Sequence, residues 1–420
     1  MKTGPRYYAK AEHALEKAIL VHMNSADEGT LTEFQELALS AGVQLLKTFQ
    51  LRATTPSAKY FIGLGKAEEI AEAVAFLETD VVLVNHELSP AQQRNLEDLF
   101  KCRVVGRSAL ILDIFAQRAR SFEGRLQVEL AQLEHLSSRL VHARTYLKRQ
   151  KGGIGLRGPG ETQLESDRRL LGLRIKLIKK ELEHVLKQRE QRRRARRRAE
   201  LPTISLVGYT NAGKSTVFNR LTEAQVYAAD QVFATLDPTL RHLFLPKAGK
   251  VIVADTVGFI RDLQHELIEA FKATLEETQL ADLLLHVVDC SRDNRTETQD
   301  EVNKVLASIG ASEIPQLLVY NKIDLREEAL LPRIDRNAEG KPWRVWLSAT
   351  TGEGFELLTQ ALSELMSDNL IRIQKVLQPD QAKLRAKLYE LKCVQHETLN
   401  EEGAWVLDLE LSKEDSQRLF

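Results

Sequence analysis

Apolar positions along this chain fall into distinct regimes. Over residues 1 to about 115, short apolar runs alternate with helical spacings. Ala18 to Met23, Val43 to Leu51, Tyr60 to Ile62, Val81 to Val84 and Val104-Val105 predict strands. Leu31, Phe34, Leu37 and Ala38 share one helix face, and Lys66 to Leu77 and Pro90 to Phe100 predict further helices. Strand and helix in alternation predict an α/β domain built on a parallel sheet. Gly63-Leu64-Gly65-Lys66 lacks the spacing of a phosphate loop, so it reads as a tight turn or partner contact rather than a second nucleotide site.

From about Leu110 the pattern changes. Leu126, Leu130, Leu133, Leu136 and Leu140 recur at three- and four-residue steps, as do Leu171, Ile175, Ile178, Leu182 and Val185. Each set predicts the seam of a long helix packed on a neighbour in coiled-coil fashion. Lys151 to Gln163 lies between them, and its glycines and Pro159 cannot continue a helix. A long antiparallel helical hairpin with a glycine-rich tip is therefore expected over residues 116–199.

After residue 200 the pattern becomes that of buried strands, each followed by a polar loop. Ile204 to Val207 leads into Gly208-Tyr209-Thr210-Asn211-Ala212-Gly213-Lys214-Ser215, then helical spacing at Val217, Phe218 and Leu221. This is G-x-x-x-x-G-K-[ST] in the strand–loop–helix setting that the motif requires. Glycines let successive N–H groups face phosphates, and the helix N-terminus adds its positive end. Lys214 is placed for the β- and γ-phosphates and Ser215 for Mg²⁺. Phe233-Ala234-Thr235-Leu236-Asp237 offers a threonine hydroxyl to Mg²⁺ and a backbone to the γ-phosphate. Val251 to Ala254 predicts a strand ending in Asp255-Thr256-Val257-Gly258, where Asp255 is expected to hold Mg²⁺ through water and Gly258 to present its N–H to the γ-phosphate. Gln316 to Tyr320 ends in Asn321-Lys322-Ile323-Asp324. The Asp324 carboxylate suits guanine N1–H and its exocyclic amine, a donor pair that adenine lacks. The Ser348-Ala349-Thr350 backbone suits guanine O6. Together these loops predict a mostly parallel P-loop domain that binds GTP and GDP over residues 200–367. Lys214, Thr235 and Gly258 are its expected catalytic contacts.

Two positions modify the chemistry. Phe259 follows Gly258 where Ras-type GTPases carry a glutamine that orients water, and a phenyl ring cannot do this. Hydrolysis is expected to be slow unless a partner assists. Asn211 gives the loop the form G-x-x-N-x-G-K-S, which resembles potassium-activated GTPases. K⁺ is thus a second cofactor candidate beside Mg²⁺, although an asparagine also suits the turn itself. The chain closes with strand, helix and strand patterns at Leu370 to Val376, Gln381 to Cys393 and Ala404 to Leu411, a small α/β domain over residues 368–420.

Composition narrows the class. The 420 residues are 43% hydrophobic and 28% charged, as in a multidomain soluble protein. No apolar run is long enough to span a bilayer, and the N-terminus lacks a signal-peptide core. Cys102, Cys290 and Cys393 lie far apart, which fits a reduced cytoplasmic monomer with no membrane anchor. A net charge of zero hides 23 Lys/Arg against 10 Asp/Glu between Arg118 and Glu200. Such segregation points to a polyanionic partner. At the hairpin tip, Gly152, Gly153, Gly155, Arg157, Gly158 and Gly160 are the expected RNA contacts, since glycines allow close approach and arginine binds phosphate. The arginine run ending at Arg198 adds backbone affinity.

The chain resembles the HflX GTPases in the run from Gly152 to Glu165, in the phosphate loop, in Phe233 to Asp237, in Asp255 to Leu263 and in Asn321 to Asp324. That resemblance extends over essentially the whole chain. It implies binding to the large ribosomal subunit and its rRNA, with the hairpin directed at the peptidyl-transferase region. It also implies a role in splitting stalled ribosomes under stress, a GTP-regulated large-subunit assembly factor being the alternative.

Overall fold

In the computed structural model the described residues are 15–24, 28–52, 56–150, 159–198, 201–223, 232–233, 235–236, 239–246, 248–261, 272–326, 330–367, 370–390, 393–400, 403–412 and 419. Strands β1 (Glu16–Asn24), β2 (Val43–Arg52), β3 (Val81–Val84) and β4 (Arg103–Gly106) form an all-parallel sheet in the order β2-β1-β3-β4. Every residue of β3 is buried, because helices cover both faces of the sheet. Helices α1 (Glu28–Ser40) and α4 (Arg107–Arg118) contribute Phe34, Leu37, Ile111 and Phe115 on one side. Helices α2 (Leu64–Leu77) and α3 (Pro90–Phe100) contribute Ile70, Val74, Leu96 and Phe100 on the other. The start of α3 is set by a capping box between Ser89 and Gln92, with Pro90 in the first turn.

Tyr60 to Ile62 does not form the expected strand. Ser57 and Phe61 make a single bridge, Phe61 turns the chain at φ 67°, and its ring stacks on His86 with centroids 4.4 Å apart. Gly63 then caps α2, and Gly65 and Lys66 lie in its first turn. An apolar triplet beside a glycine served a buried turn, not a ladder.

The hairpin consists of α5 (Phe122–Gln150) and α6 (Pro159–Arg198). Leu126, Ile178 and Leu182 are buried where they meet, with Leu130 and Leu133 packed alongside. Arg174 binds both oxygens of Glu129 at 2.7 and 2.9 Å. Leu136 departs from the expected seam and is 47% exposed. Of the predicted tip contacts, Gly152, Gly153, Gly155, Arg157 and Gly158 lie outside the described residues, and Gly160 falls in the first turn of α6.

Helix α6 ends five residues before β5 (Thr203–Gly208), which opens the next domain. There follow α7 (Lys214–Thr222), β6 (Thr239–Leu245), β7 (Gly249–Asp255), α8 (Lys272–Gln279), β8 (Leu283–Asp289), α9 (Arg295–Ser308), β9 (Gln316–Asn321), β10 (Arg333–Arg336), β11 (Pro342–Trp346) and α10 (Phe355–Ser367). Sheet order is β10-β11-β9-β8-β5-β7-β6, parallel except for the two edge pairs. The loops after β5, β7, β9 and β11 therefore meet at one end, where α/β sheets bind ligands. A three-stranded antiparallel sheet of β12 (Leu370–Leu377), β14 (Trp405–Ser412) and β13 (Val394–Leu399) follows, covered by α11 (Ala382–Glu390). This is the expected multidomain α/β architecture around a mostly parallel P-loop sheet. Among the described residues no helix is long and apolar enough to cross a membrane.

Candidate functional site

A cleft of about 400 Å³ opens at that end of the sheet, lined by Thr210, Asn211, Gly213, Lys214, Ser215, Phe233, Thr235, Thr256, Gly258, Asn321, Lys322, Asp324, Ala349 and Thr350. All five predicted loops thus contribute to one cavity. Ala234 and Asp237 lie outside the described residues.

Its floor is the phosphate loop. Gly213 turns at φ 93°, and a Cβ there would stand 2.2 Å from Asn321 Nδ2, so only glycine fits. Asn321 explains the crowding. Its Nδ2 donates to the Ala212 carbonyl at 2.9 Å and its Oδ1 accepts from the Ala349 N–H at 2.9 Å, tying the phosphate loop to the last loop. Asn211 sits at φ 60°, a conformation asparagine tolerates better than most residues, so it suits the turn as well as a cation. The side chains of Ala212, Leu236, Val257 and Ile323 are buried in the core. Thr256 donates to the Leu206 carbonyl at 2.5 Å. These residues offer backbone only.

Lys214 is buried and its Nζ donates to the carbonyls of Gly208 and Tyr209 at 3.0 and 2.7 Å. Burial pulls its ammonium down to about 8, partly opposed by Asp255. A lysine with a lowered value is charged below it and neutral above. Affinity for an anionic phosphate should therefore fall as the pH rises through about 8. The expected result is a decline in kcat/KM for GTP centred near that pH. A profile flat from pH 7 to 9 would contradict it.

Three oxygen groups converge beside the lysine. Asp255 Oδ2 accepts from Ser215 Oγ and Thr235 Oγ1, each at 2.8 Å, and the two hydroxyls are 2.7 Å apart. Asp255 Oδ1 is buried with no hydrogen-bond partner among the described residues. Burial raises this carboxyl above the usual range, against the hydrogen bonds and Lys214. A buried, incompletely paired carboxylate with two hydroxyls suits a hard divalent cation. The residues present fit Mg²⁺.

Phe259 is fully buried and faces the core with Phe115 and Phe233. Its N–H donates to the Gly208 carbonyl at 3.1 Å and its carbonyl accepts from the Thr210 N–H at 2.7 Å, a parallel bridge between the phosphate loop and the segment after Asp255. The side chain therefore points away from the cleft.

Sequence reading missed how the N-terminal domain reaches this site. The Tyr209 hydroxyl leaves the cleft and donates to Glu33 on α1, which also pairs with Arg107 at the start of α4. Arg107 donates further to Asn85 Oδ1 at 2.9 Å and to the Arg261 carbonyl at 3.0 Å. The Arg261 N–H donates back to Tyr209 Oη at 2.9 Å. Burial and the Glu33 carboxylate push the phenol above the usual tyrosine range. Leaving one charge of such a buried pair unpartnered typically costs roughly 3–5 kcal/mol, so the contact is well defined. Glu36, one turn along α1, pairs with Arg292 at 2.9 Å. Phe233 packs edge-on against Phe115 at 4.5 Å, and the Val232 N–H donates to Ser40 Oγ at 3.0 Å. On the base side, Lys322 Nζ pairs with Asp289 at 2.8 Å. Of the N-terminal-domain groups, Glu33 left a trace in sequence, as a carboxylate beside an apolar helix face.

Comparison with known proteins agrees with this geometry. Residues 28–116 match a family model for the GTP-binding GTPase N-terminal region and residues 118–196 its middle region. Residues 203–322 match one described as a 50S ribosome-binding GTPase, and residues 333–419 the HflX C-terminal domain. The chain is 56% identical over 407 residues to GTPase HflX of Escherichia coli K12, covering 96% of this chain and 95% of that protein. It is 48% identical over 349 residues to GTPase HflX of Caldanaerobacter subterraneus, covering 83% and 80%. A solved structure of SsGBP in complex with GDP shares the fold, with TM-score 0.50 and 24% identity over 84% of this chain and 99% of that one.

Proposed function

This chain belongs to the HflX family of GTPases, and from that premise we propose that it hydrolyses GTP while docked on the large ribosomal subunit through its basic hairpin. The observation that carries the proposal is the join between the two parts. Helix α6 brings its arginine-rich end to within five residues of β5, the strand that carries the phosphate loop. A contact at the tip can thus bear on the site through one continuous element. The segregated positive charge suits rRNA phosphates.

In this reading Lys214 binds the β- and γ-phosphates, and the backbone of Asn211 to Ser215 encloses them. Ser215, Thr235 and, through water, Asp255 would hold Mg²⁺, which would offset negative charge on the phosphates. Asn211 would help hold K⁺. Asp324 selects guanine, and the Ser348–Thr350 backbone meets its O6. No side chain at position 259 orients water, because Phe259 is in the core. The site waits on its partner to complete that arrangement, so basal turnover is slow.

The bound GTP form is proposed to separate the subunits of stalled ribosomes in the cytoplasm, with hydrolysis permitting release. Sedimentation of intact ribosomes with the protein and a non-hydrolysable GTP analogue tests this. Conversion to free subunits, with the protein on the large one, is the expected outcome. Binding confined to immature large subunits would instead favour the assembly role.

A further inference from the structure

One residue outside every nucleotide motif grips the loop assigned to guanine O6. Arg220 lies in α7, the helix that starts at Lys214. Its Nε donates to the Ala349 carbonyl at 3.1 Å and its Nη2 to the Thr350 carbonyl at 3.0 Å. The guanidinium also faces the Phe355 ring, 5.5 Å from its centroid. Ala349 is therefore held at both ends, its N–H by Asn321 Oδ1 and its carbonyl by Arg220. The loop is shaped to receive this side chain. Gly352 turns at φ 94°, and a Cβ there would lie 2.1 Å from Arg220 Nη1.

We propose that Arg220 is a positioning residue for guanine recognition, fixing the Ser348–Thr350 loop and thereby setting how fast nucleotide leaves. The inference rests on the reading of the Ser348–Thr350 backbone as the O6 contact. A single helix then serves both ends of the nucleotide, with Lys214 at its start for the phosphates and Arg220 two turns on for the base. Arg220 is charged and planar, so it reaches two successive carbonyls with fixed geometry. Lysine has no such fork.

Arg220→Ala is expected to speed release of a fluorescent GDP about tenfold, the loss of one or two charge-assisted bonds near solvent. Single-turnover hydrolysis at saturating GTP should stay within about twofold, so KM moves and the chemical step does not. The decisive readout is a 2-aminopurine nucleotide, which lacks O6. Its affinity should be unaffected by Arg220→Ala, whereas a general loss of fold would weaken both nucleotides equally and overturn the proposal. Gly352→Ala displaces the guanidinium from the opposite side and should also speed GDP release. Combined with Arg220→Ala it should add less than its single effect, because the clash is then gone. Full additivity would contradict the proposal. Asp324→Asn separates the two levels of inference, since it should move preference from guanine to xanthine nucleotides. Unaltered selectivity there would remove the guanine reading itself. Altered selectivity there, with wild-type GDP release in Arg220→Ala, would remove the Arg220 role alone.

Discussion

Lys214→Ala is expected to reduce GTP turnover by about a thousandfold or more while leaving the fold intact. Among the described residues the lysine is the one cation buried at the phosphate end of the cleft, lined there by hydroxyls and backbone. In the proposed mechanism its charge stabilises the γ-phosphate as negative charge spreads over the transferred group, an effect usually worth several kcal/mol in a water-excluded site. Alanine removes that interaction from ground and transition states alike, so both nucleotide affinity and kcat fall. Stability should hardly change. Burial disfavours the ammonium, which has two loop carbonyls and the Asp255 charge to offset its desolvation. Steady-state phosphate release and thermal unfolding, measured on the same preparation, separate the two effects. Turnover near the wild-type level would contradict the assignment of Gly208 to Ser215 as the phosphate cradle.

Much of the nucleotide site was legible because phosphate and guanine chemistry is carried by short loops at fixed places after strands. Backbone N–H groups, one lysine and one carboxylate each need a particular residue at a particular spacing, and spacing is visible in a sequence. The parallel sheet was legible for the same reason, since a strand buried on both faces, such as Val81 to Val84, must be apolar throughout. Two polar edge strands were not. Strand β10 reads Arg-Ile-Asp-Arg and β13 reads Val-Gln-His-Glu-Thr-Leu, polar sequences that pair only because a neighbour offers a free edge. Tyr60 to Ile62 failed in the opposite direction, as an apolar triplet whose Phe61 and Ile62 are buried in a turn. Leu136 keeps the helical step of its seam yet lies exposed, because periodicity does not say where two helices part.

The contacts between domains were illegible for a different reason. Tyr209 sits inside the phosphate-loop motif, and the natural reading gives it to the nucleotide. Its hydroxyl instead serves Glu33, 176 positions away in the chain. Arg220 carries no motif at all, since it hydrogen-bonds backbone carbonyls that every residue supplies, and Arg107 combines one such carbonyl with Glu33 and Asn85, which lie far from it in the chain. Asp289 was visible only as an acid ending a strand. Its pairing with Lys322 depends on the spacing of β8 and β9, which only the folded sheet provides.

The hairpin carries the second large effect. Shortening Gly152 to Gly160 to a minimal turn removes the glycine-rich tip and Arg157 but leaves the phosphate loop, Asp255 and the guanine loops in place. Basal turnover should then remain within about twofold of the full chain. Stimulation by a partner should disappear, because the proposal places partner recognition at the tip and water positioning under that partner's control. Loss of a few phosphate contacts alone would weaken binding and its salt dependence by degrees. Loss of the tip's close approach to RNA should abolish the response even at saturating subunit concentration.

The most direct measurement is therefore GTP turnover by the full chain and the shortened chain, each with and without purified large ribosomal subunits. The account predicts strong stimulation of the full chain and none of the shortened chain, from equal basal rates. Equal stimulation of both would contradict the hairpin as the sensing element, and no stimulation of either would contradict the large subunit as the partner.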